Sequence, residues 1–218
     1  MKQSTGITVT LKAAASVDGK IATGTGHSKW VTGDVARRKA HQLRHENDAI
    51  LVGINTILTD DPGLTVRGIE KGRSPVRIVL DSKARIPEQS RVFQNDGVPV
   101  IIITGNQALS RNWPERTELK IIRAPTETPD ILWVLSELRK HGLKSLLVEG
   151  GSLIHASFLK SKSVDHLALF MAPKIIGGQD SLSWCGDINV ENVNDACQLD
   201  ISSITPLGED WLILAKLK

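Results

Sequence analysis

Ser28, Arg44 and Arg67 are residue types that bind phosphate esters, and all three lie early in the chain. A hydroxyl donates one hydrogen bond, and a guanidinium offers a planar fork of N–H donors that matches phosphate oxygens. Trp30, close to Ser28, offers an aromatic face on which a flat ring could pack. Together they predict a site for a small phosphorylated ligand, although a solvated basic helix face and a core tryptophan would give the same pattern.

Two glycines follow a short apolar run in Val148-Glu149-Gly150-Gly151-Ser152. Glycine lets the backbone approach a ligand closely, and the N-terminus of a helix presents free N–H groups to an anion. The segment therefore predicts a strand that turns into a helix beside a phosphate or pyrophosphate. Glycines that only tighten the corner between strand and helix would give the same sequence, which lacks the full G-x-G-x-x-G pattern.

Residues 55–67 carry two carboxylates, Asp60 and Asp61, followed by a Pro-Gly pair and Arg67. They come directly after residues 49–53, an apolar run that predicts a buried strand. Because ligands of open α/β sheets bind at the carboxyl ends of the strands, we expect a loop here that lines a site. A surface loop whose Asp-Asp-Pro-Gly simply makes the turn is the alternative.

Further cations are associated with predicted strands. Lys12 interrupts an apolar and β-branched run, so it lies either on an exposed edge or in a cleft. Ser82 is followed by Lys83 and Arg85 at the end of another strand pattern. A hydroxyl and two cations at a strand end fit the 2′-phosphate that distinguishes NADP from NAD, and they fit a solvated loop equally well.

The elements that must position these residues alternate between strand and helix, and only strands remain at the end of the chain. One helix is predicted to start at Thr32-Gly33-Asp34, with Thr32 as a possible N-cap and Asp34 in the first turn, and to run to about Glu46. Another begins with Pro129 at its first position. The strand patterns lie at residues 7–15, 49–53, 76–80, 98–103, 119–122, 145–148, 166–171, 197–203 and 211–215. This order predicts an α/β fold with a mostly parallel central sheet, helices on both faces and an antiparallel C-terminal hairpin. No shift in composition divides residues 1–218, so we expect a single domain.

Composition and the absence of known motifs exclude several classes of function. The 218 residues carry a net charge of +3, contain no tyrosine and scatter their basic residues, which argues against a nucleic-acid binder. No apolar run is long enough to span a bilayer, and Cys185 and Cys197 make neither a metal-ligand spacing nor a disulfide framework, so we expect a cytoplasmic protein without a metal. The G-x-S-x-G elbow, the Walker loop and the zinc-deaminase signature are absent from the sequence. His27, His41 and His45 pair with no nucleophile or second ligand and are expected to be structural.

Six motifs, in order, resemble the reductase domain of the bacterial bifunctional deaminase–reductase of riboflavin biosynthesis, which has stand-alone relatives in archaea and fungi. They are LKAAASVDGKIA at 11–22, SKWVT at 28–32, NTILTDDPGLTVR at 55–67, PVRIVLDS at 75–82, VEGGS at 148–152 and APKIIGG at 172–178. The resemblance implies a dihydrofolate-reductase-like fold. It also implies NADPH-dependent reduction of 5-amino-6-(5-phospho-D-ribosylamino)uracil to the ribitylamino compound, through a ring-opened C1′ imine that accepts hydride.

The resemblance also implies roles for individual residues. Those that would line the substrate are Ser28, Arg44, Leu64, Arg67 and Glu149, with Ser28 and the arginines at the phosphate and Glu149 at the ribose hydroxyls. Those that would line NADPH are Ala14, Trp30, Thr56, Asp60, Ser82, Gly151, Ser152, Leu153, Ile154, His155, Ala156 and Ser157. Lys12 would face the substrate and, with Asp60, would orient the imine and supply or relay a proton.

Several functions stay open at this point. The loop at residues 26–30 resembles the bacterial version, which favours the deaminated uracil over the diaminopyrimidinone that archaeal and fungal relatives reduce. A dihydrofolate-reductase-like enzyme for another pyrimidine or pterin, and a sensor that binds NADPH without turnover, are the alternatives. We expect a homodimer that has no nucleic-acid or membrane partner. Either it is a stand-alone reductase that acts with a separate deaminase, or it is an excised or diverged paralogue of the bacterial domain.

Overall fold

One sheet of nine strands organises the computed structural model, which describes residues 5–116 and 118–218. Residues 1–4 and 117 of the domain expected over residues 1–218 lie outside this description. In chain order the strands are β1 (Thr8–Ser16), β2 (Ala49–Gly53), β3 (Val76–Leu80), β4 (Val100–Thr104), β5 (Leu119–Arg123), β6 (Ser145–Val148), β7 (His166–Ala172), β8 (Leu199–Leu207) and β9 (Asp210–Leu217). The α-helices between them are α1 (Asp34–Glu46), α2 (Ile54–Asp60), α3 (Ile131–Lys140) and α4 (Ser152–Lys160).

The order of strands across the sheet is β5-β4-β3-β2-β6-β1-β7-β9-β8. Neighbours from β5 to β7 are parallel, whereas β9 is antiparallel to both β7 and β8. The mostly parallel sheet and the antiparallel C-terminal hairpin are therefore confirmed. The chain runs outward to β5 and then returns to β6, between β2 and β1, so the direction of winding reverses there. Ligands of open α/β sheets bind outside the carboxyl ends of strands at such a reversal.

Helices cover both faces of the sheet. Leu51 of β2 packs into the apolar cluster that includes α3 and α4, while the next residue, Val52, packs with α2 on the opposite face. At β7, Phe170 packs against Ala40 of α1 on that second face. Helices α3 and α4 thus cover one face of the sheet, and α1 and α2 cover the other.

Strand alternation decides where two of the predicted functional side chains point. Leu11 of β1 and Val148 of β6 both belong to the cluster beneath α3 and α4. The residue that follows each of them, Lys12 and Glu149, therefore points to the face covered by α1. The backbone N–H of Glu149 still donates to the Leu51 carbonyl at 3.0 Å, so the ladder extends one residue beyond β6.

The predicted N-cap of α1 is wrong by one residue, and the predicted start of α3 is wrong by two. The N-cap of α1 is Gly33 rather than Thr32, and no side chain caps that helix. Pro129 precedes the N-cap of α3 instead of occupying its first turn. That cap is Asp130, whose carboxylate accepts from the Trp133 N–H at 3.0 Å.

The loop expected over residues 55–67 is wrong in its first half, because Ile54–Asp60 form α2. Ile54 and Ile57 are buried one turn apart and hold this short helix against the sheet. Asp61, in a left-handed conformation with φ +39°, ends it and donates its N–H to the Ile57 carbonyl at 3.0 Å. Asp61-Pro62-Gly63 follow the helix as irregular backbone, so only Asn55 to Asp60 change from loop to helix.

Among residues 5–116 and 118–218, no helix combines the length and the apolar character that a membrane crossing requires. Within the same residues, His, Cys, Asp and Glu side chains form no group suited to a metal ion. Cys185 and Cys197 are free thiols, the first half-buried and the second exposed.

Candidate functional site

A basic cleft of about 270 Å³ lies between β1, α1 and the chain segments around Ser28 and Arg67. Its lining residues are Lys12, Ala14, Ser28, Trp30, Val31, Thr32, Arg37, Ala40, His41, Arg44 and Arg67. The structure thus brings together six residues that the sequence analysis placed at a substrate or cofactor. None of these lining residues is acidic, so the cleft favours an anionic ligand.

Glu149 is the buried counter-ion behind this cleft. Arg44 binds it in a fork, with Nε 2.8 Å from Oε1 and a terminal nitrogen 2.9 Å from Oε2, and Lys12 Nζ lies 3.7 Å from Oε2. Burial raises the pKa of the Glu149 carboxyl, but Arg44 and Lys12 outweigh burial and bring the pKa down to about 2. Burial lowers the pKa of the Arg44 guanidinium, and Glu149 more than reverses this. One carboxylate thus faces two basic side chains, Arg44 and Lys12.

Two predicted substrate residues lie behind the wall of the cleft. Glu149 is engaged with Arg44 and Lys12, so its predicted contact with ribose hydroxyls stays a prediction. Leu64 has a left-handed backbone with φ +51°, and its side chain is buried in the apolar cluster beside α2. A contact from Leu64 to a ligand in the cleft would therefore come from its backbone.

Trp30 forms the outer wall of the cleft. The residue is 67% exposed, so it is not a core tryptophan, and its backbone is left-handed with φ +65°. The Arg37 guanidinium lies 4.3 Å from the centre of the indole ring system. Lys174 Nζ donates to the carbonyls of Trp30 and Val31 at 2.7 and 2.9 Å. These cations hold a strained residue in place and leave indole surface open to a flat ring.

Ser28 connects the cleft to the predicted catalytic carboxylate. Its hydroxyl donates to Oδ1 of Asp60 at 3.3 Å, and Asp60 is exposed at the last residue of α2. Thr56, one turn earlier on the same helix, is half-buried. Among the described residues no hydrogen bond or ion pair joins Asp60 to Lys12, so their joint proton relay stays a prediction.

His41 is a cleft residue that the sequence analysis treated as structural. Its Nδ1 lies 3.1 Å from the Thr65 carbonyl oxygen and 3.3 Å from the Arg67 amide nitrogen. Burial lowers the pKa of His41 below its ordinary value of 6.5, and Arg44 and Arg67 lower it further, against smaller opposing effects of Glu149 and of the Thr65 carbonyl. The ring is therefore neutral at pH 7. The helical spacing of His41 from Arg37 and Arg44 was the signal that could have placed it in the cleft.

The strand–glycine–helix prediction is confirmed, since β6 ends at Val148 and α4 begins at Ser152. A Cβ on Gly150 would lie 2.9 Å from Ile154, so packing explains that glycine. Gly151 has φ −63° and open space within 4 Å of the position where a Cβ would lie. Neither neighbouring protein atoms nor a left-handed backbone requires glycine there. A bare backbone at the N-terminus of a helix fits the phosphates of a dinucleotide cofactor.

Residues 151–157, all predicted to line NADPH, run through almost two turns of α4 and so face several directions. Leu153 and Ser157 are exposed, whereas His155 and Ala156 are buried. His155 Nδ1 lies 2.7 Å from the carbonyl oxygen of Trp184. The cofactor prediction for this segment therefore rests on the first turn of α4 and its backbone groups.

Ser82 lies at the same carboxyl edge of the sheet as Gly151, just after β3. It is half-buried, and its carbonyl accepts from the Gly105 N–H at 3.0 Å. Arg85 lies on the same turn, with Nε 4.0 Å from Oδ1 of the buried Asp81. The exposed guanidinium and the Ser82 hydroxyl remain the predicted partners of a 2′-phosphate.

Known proteins are similar in sequence to this chain along nearly its whole length. The family profile of the RibD C-terminal domain matches residues 7–213. The riboflavin biosynthesis protein RibD of Bacillus amyloliquefaciens is 38% identical over 209 residues, which are 95% of this chain and 56% of that protein. The 2,5-diamino-6-ribosylamino-4(3H)-pyrimidinone 5′-phosphate reductase of Methanothermobacter thermautotrophicus is 39% identical over 94% of this chain and 95% of its own length. The chain therefore spans about half of the bacterial relative and nearly all of the archaeal one.

Solved structures agree with the fold. The deaminase/5-amino-6-(5-phosphoribosylamino)uracil reductase of Thermotoga maritima matches with a TM-score of 0.82 and 30% identity, over 97% of this chain and 57% of that one. A dihydrofolate reductase of Enterococcus faecalis, in complex with NADP(H), matches with a TM-score of 0.55 and 11% identity over 98% of each chain. At that identity the second likeness shows the fold alone, and it confirms the dihydrofolate-reductase-like architecture.

Proposed function

The chain belongs to the RibD C-terminal domain family, and from that premise we propose that it reduces 5-amino-6-(5-phospho-D-ribosylamino)uracil to the ribitylamino compound in riboflavin biosynthesis, using NADPH. The observation that carries the proposal is the basic cleft backed by Arg44, Glu149 and Lys12. A phosphate-bearing sugar has the charge that this cleft favours.

The substrate side of the proposal uses residues that the cleft brings together. Ser28 and Arg67 line it, and the Arg67 guanidinium makes no ion pair or hydrogen bond among the described residues. Arg67 is thus free to bind phosphate oxygens in a fork. Arg44 is held by Glu149 and presents its charge from the back of the cleft. These contacts would keep the sugar phosphate in one orientation while the base lies toward Trp30.

The cofactor side lies at the carboxyl edge of the sheet. NADPH would supply the hydride when bound, and the protein would supply orientation and electrostatics. Gly151 and the first turn of α4 would hold its phosphates, and Ser82 would hold the 2′-phosphate. Trp30, Thr56 and Ala14 would line the ring end, where holding the two reactants in contact provides most of the acceleration.

Proton control is proposed for Lys12 and Asp60. Lys12 Nζ is half-enclosed, 3.7 Å from Glu149 and 5.5 Å from the centre of the Phe170 ring. A charged amine in this position can donate a proton toward an atom of the substrate that becomes more basic during the reaction. Asp60, hydrogen-bonded to Ser28, would orient the reacting sugar from the other wall.

The second candidate substrate is the undeaminated diaminopyrimidinone ribosyl phosphate. The similarity to the archaeal reductase favours this substrate. That protein is named for the diaminopyrimidinone phosphate, and this chain aligns with 95% of its length. The same phosphate contacts would serve both compounds. They differ only in one exocyclic group of the base, so the cleft chemistry described above does not separate them.

The deciding experiment is NADPH oxidation by the purified protein with each of the two pyrimidines in turn, followed by the absorbance of the reduced nicotinamide. We expect turnover with both phosphorylated compounds to be measurable and the deaminated uracil to have the higher kcat/KM. Binding of NADPH without loss of absorbance with either compound would identify a sensor and overturn the proposal.

The proposal also covers the source of the substrate, the oligomeric state and the cellular compartment. We propose that the deaminase that makes the uracil substrate is a zinc domain supplied outside these 218 residues, because their sequence lacks the zinc-deaminase signature. We also propose a homodimer, to be tested by the mass of the protein in solution. The free thiols of Cys185 and Cys197 fit a reducing, cytoplasmic compartment.

A further inference from the structure

His41 makes more contacts than a structural histidine on a solvated helix face requires. It lines the basic cleft, and its Nδ1 is within hydrogen-bond distance of two backbone groups, the Thr65 carbonyl and the Arg67 N–H. A ring nitrogen either donates or accepts, so it satisfies one of these groups at a time. The choice between them determines which nitrogen of the ring carries the proton.

The hydrogen bonds around the ring favour one tautomer. The Thr65 carbonyl already accepts from Arg44 at 3.0 Å, so it has a donor without His41. The Arg67 N–H has no acceptor other than His41 Nδ1 among the described residues. With Nδ1 unprotonated, both backbone groups are satisfied, and the proton then resides on Nε2.

The Nε2 edge of the ring is available to a ligand. Nε2 of His41 has no hydrogen-bond partner among the described residues. It is also not buried, because the fully buried side-chain polar atoms that lack a partner in this part of the chain do not include it. Nε2 lies on the opposite edge of the ring from Nδ1, and the ring lines the cleft shared with Ser28 and Arg67. The lowered pKa of His41 keeps the ring neutral at pH 7.

We propose that His41 is a further substrate-binding residue, whose Nε2–H donates to the substrate phosphate while its Nδ1 holds the backbone of Arg67. This inference rests on the proposed function and deepens it by adding a neutral donor to the phosphate site. The two roles are coupled, because a phosphate oxygen at Nε2 favours the same tautomer that accepts the Arg67 N–H. Phosphate binding would therefore stabilise the segment that carries Arg67.

Three variants separate the two edges of the ring. His41→Asn places an amide near the position of Nδ1 and removes the donor at Nε2, whereas His41→Gln places its amide near Nε2. His45→Asn is the matched control, because His45 lies one turn further along α1 and its Nδ1 accepts from the Arg73 N–H at 3.0 Å without lining the cleft. All three variants keep a polar side chain on an exposed or half-buried helix face, so we expect each to fold.

The measurements are KM and kcat for the phosphorylated substrate, and the inhibition constant of inorganic phosphate. We expect His41→Asn to raise both KM and the inhibition constant about tenfold, with kcat changed by less than about threefold. His41→Gln should stay within about threefold of the wild type, and His45→Asn should match the wild type. Unchanged constants in His41→Asn, or equal shifts in His41→Asn and His45→Asn, would overturn the proposal.

A measurement without turnover separates this inference from the proposed function. Long-range ¹H–¹⁵N spectra of the imidazoles, assigned with the His41 variants, report which ring nitrogen is protonated. We expect the Nε2–H form of His41, with an Nε2 shift that saturates on titration with inorganic phosphate. An Nδ1–H form, or an Nε2 signal indifferent to phosphate, contradicts the role of His41 whether or not the protein turns over the uracil. Failure of NADPH oxidation alongside a saturating shift would overturn only the proposed function.

Discussion

Arg44 and Glu149 form a buried fork-to-fork ion pair that joins α1 to the end of β6, with N···O distances of 2.8 and 2.9 Å. Their side chains are 16% and 8% exposed, so water screens the pair weakly. Lys12 approaches the same carboxylate from β1 at 3.7 Å. One carboxylate thus fixes two cations at the back of the cleft, and its loss would leave both without a counter-ion.

Glu149→Gln should lower the free energy of unfolding by about 3–5 kcal/mol, because Arg44 then stays buried without its partner. Urea unfolding at neutral pH measures this loss. Glu137→Gln is the control, since Glu137 pairs at 2.6 Å with Lys140, whose side chain is 64% exposed. An exposed pair of this kind contributes about 0.5 kcal/mol. Equal effects of the two substitutions would show that Glu149 is not a buried counter-ion.

The contribution of Glu149 should depend on pH in acid. Its pKa is about 2 in the folded protein against an ordinary 4.5, so the unfolded chain takes up the proton at higher pH. The stabilisation is complete above about pH 4.5 and is lost as the pH falls toward 2. We expect the difference in unfolding free energy between wild type and Glu149→Gln to shrink steadily from pH 5 to pH 3. A constant difference across that range would contradict the assigned pKa.

The fold was predictable from the sequence because its long elements carry periodic signals. Ala36 and Ala40 mark the buried face of α1, and the apolar runs of the parallel strands are continuous. α2 was missed because seven residues are too few for a helical period, and only Ile54 and Ile57 mark its buried side. Short helices of this kind form through packing against the sheet rather than through local propensity.

The residue types of the site could be predicted from the sequence, whereas the contacts between its side chains could not. Ser28, Arg44 and Arg67 suggested a phosphate site by chemistry alone, and the fold brings them to one cleft. The pairing of Arg44 with Glu149 joins residues 105 positions apart and depends on the return of the chain to β6. No local pattern carries that information. His41 differs, because its helical spacing from Arg37 and Arg44 is a local signal and only its partners at Thr65 and Arg67 belong to another segment.

Gly151→Ala should weaken NADPH binding while the fold persists. The added methyl would project into open space at the N-terminus of α4, where a cofactor phosphate would otherwise approach the backbone. We expect the KM for NADPH to rise about tenfold, and a loss of stability of about 1 kcal/mol from the poorer N-cap. Gly33→Ala is the matched control, because Gly33 caps α1 and a Cβ there meets only Asp210, at 3.4 Å. A similar KM in all three proteins would remove Gly151 from the cofactor site.

Lys174→Met should loosen the wall formed by Trp30. The lysine is exposed, so we expect the free energy of unfolding to change by less than about 1 kcal/mol. Without its two hydrogen bonds the left-handed Trp30 is free to relax, and the KM for substrate should rise by about three- to tenfold. Lys174→Arg should restore the wild-type KM, and Lys144→Met, at an exposed position away from the cleft, should leave it unchanged. A wild-type KM in Lys174→Met would show that the segment around Trp30 keeps its conformation without Lys174.

Lys12 and Asp60 should affect turnover more than binding, and their neighbours provide the comparison. Lys12→Ala removes the amine beside Glu149, and we expect kcat to fall by about 10²–10⁴-fold, the range for a lost general acid.

Asp60→Asn keeps an oxygen for the Ser28 hydroxyl but removes the charge, so a fall in kcat of about 10²-fold with little change in KM is expected. Asp61→Asn is the matched control, because Asp61 ends α2 and its Oδ1 accepts from the Arg91 N–H at 2.8 Å, away from the cleft. Near-wild-type turnover with unchanged affinity in both Lys12→Ala and Asp60→Asn would refute their role in proton transfer. Equal losses in Asp60→Asn and Asp61→Asn would instead show that the end of α2 matters only as structure.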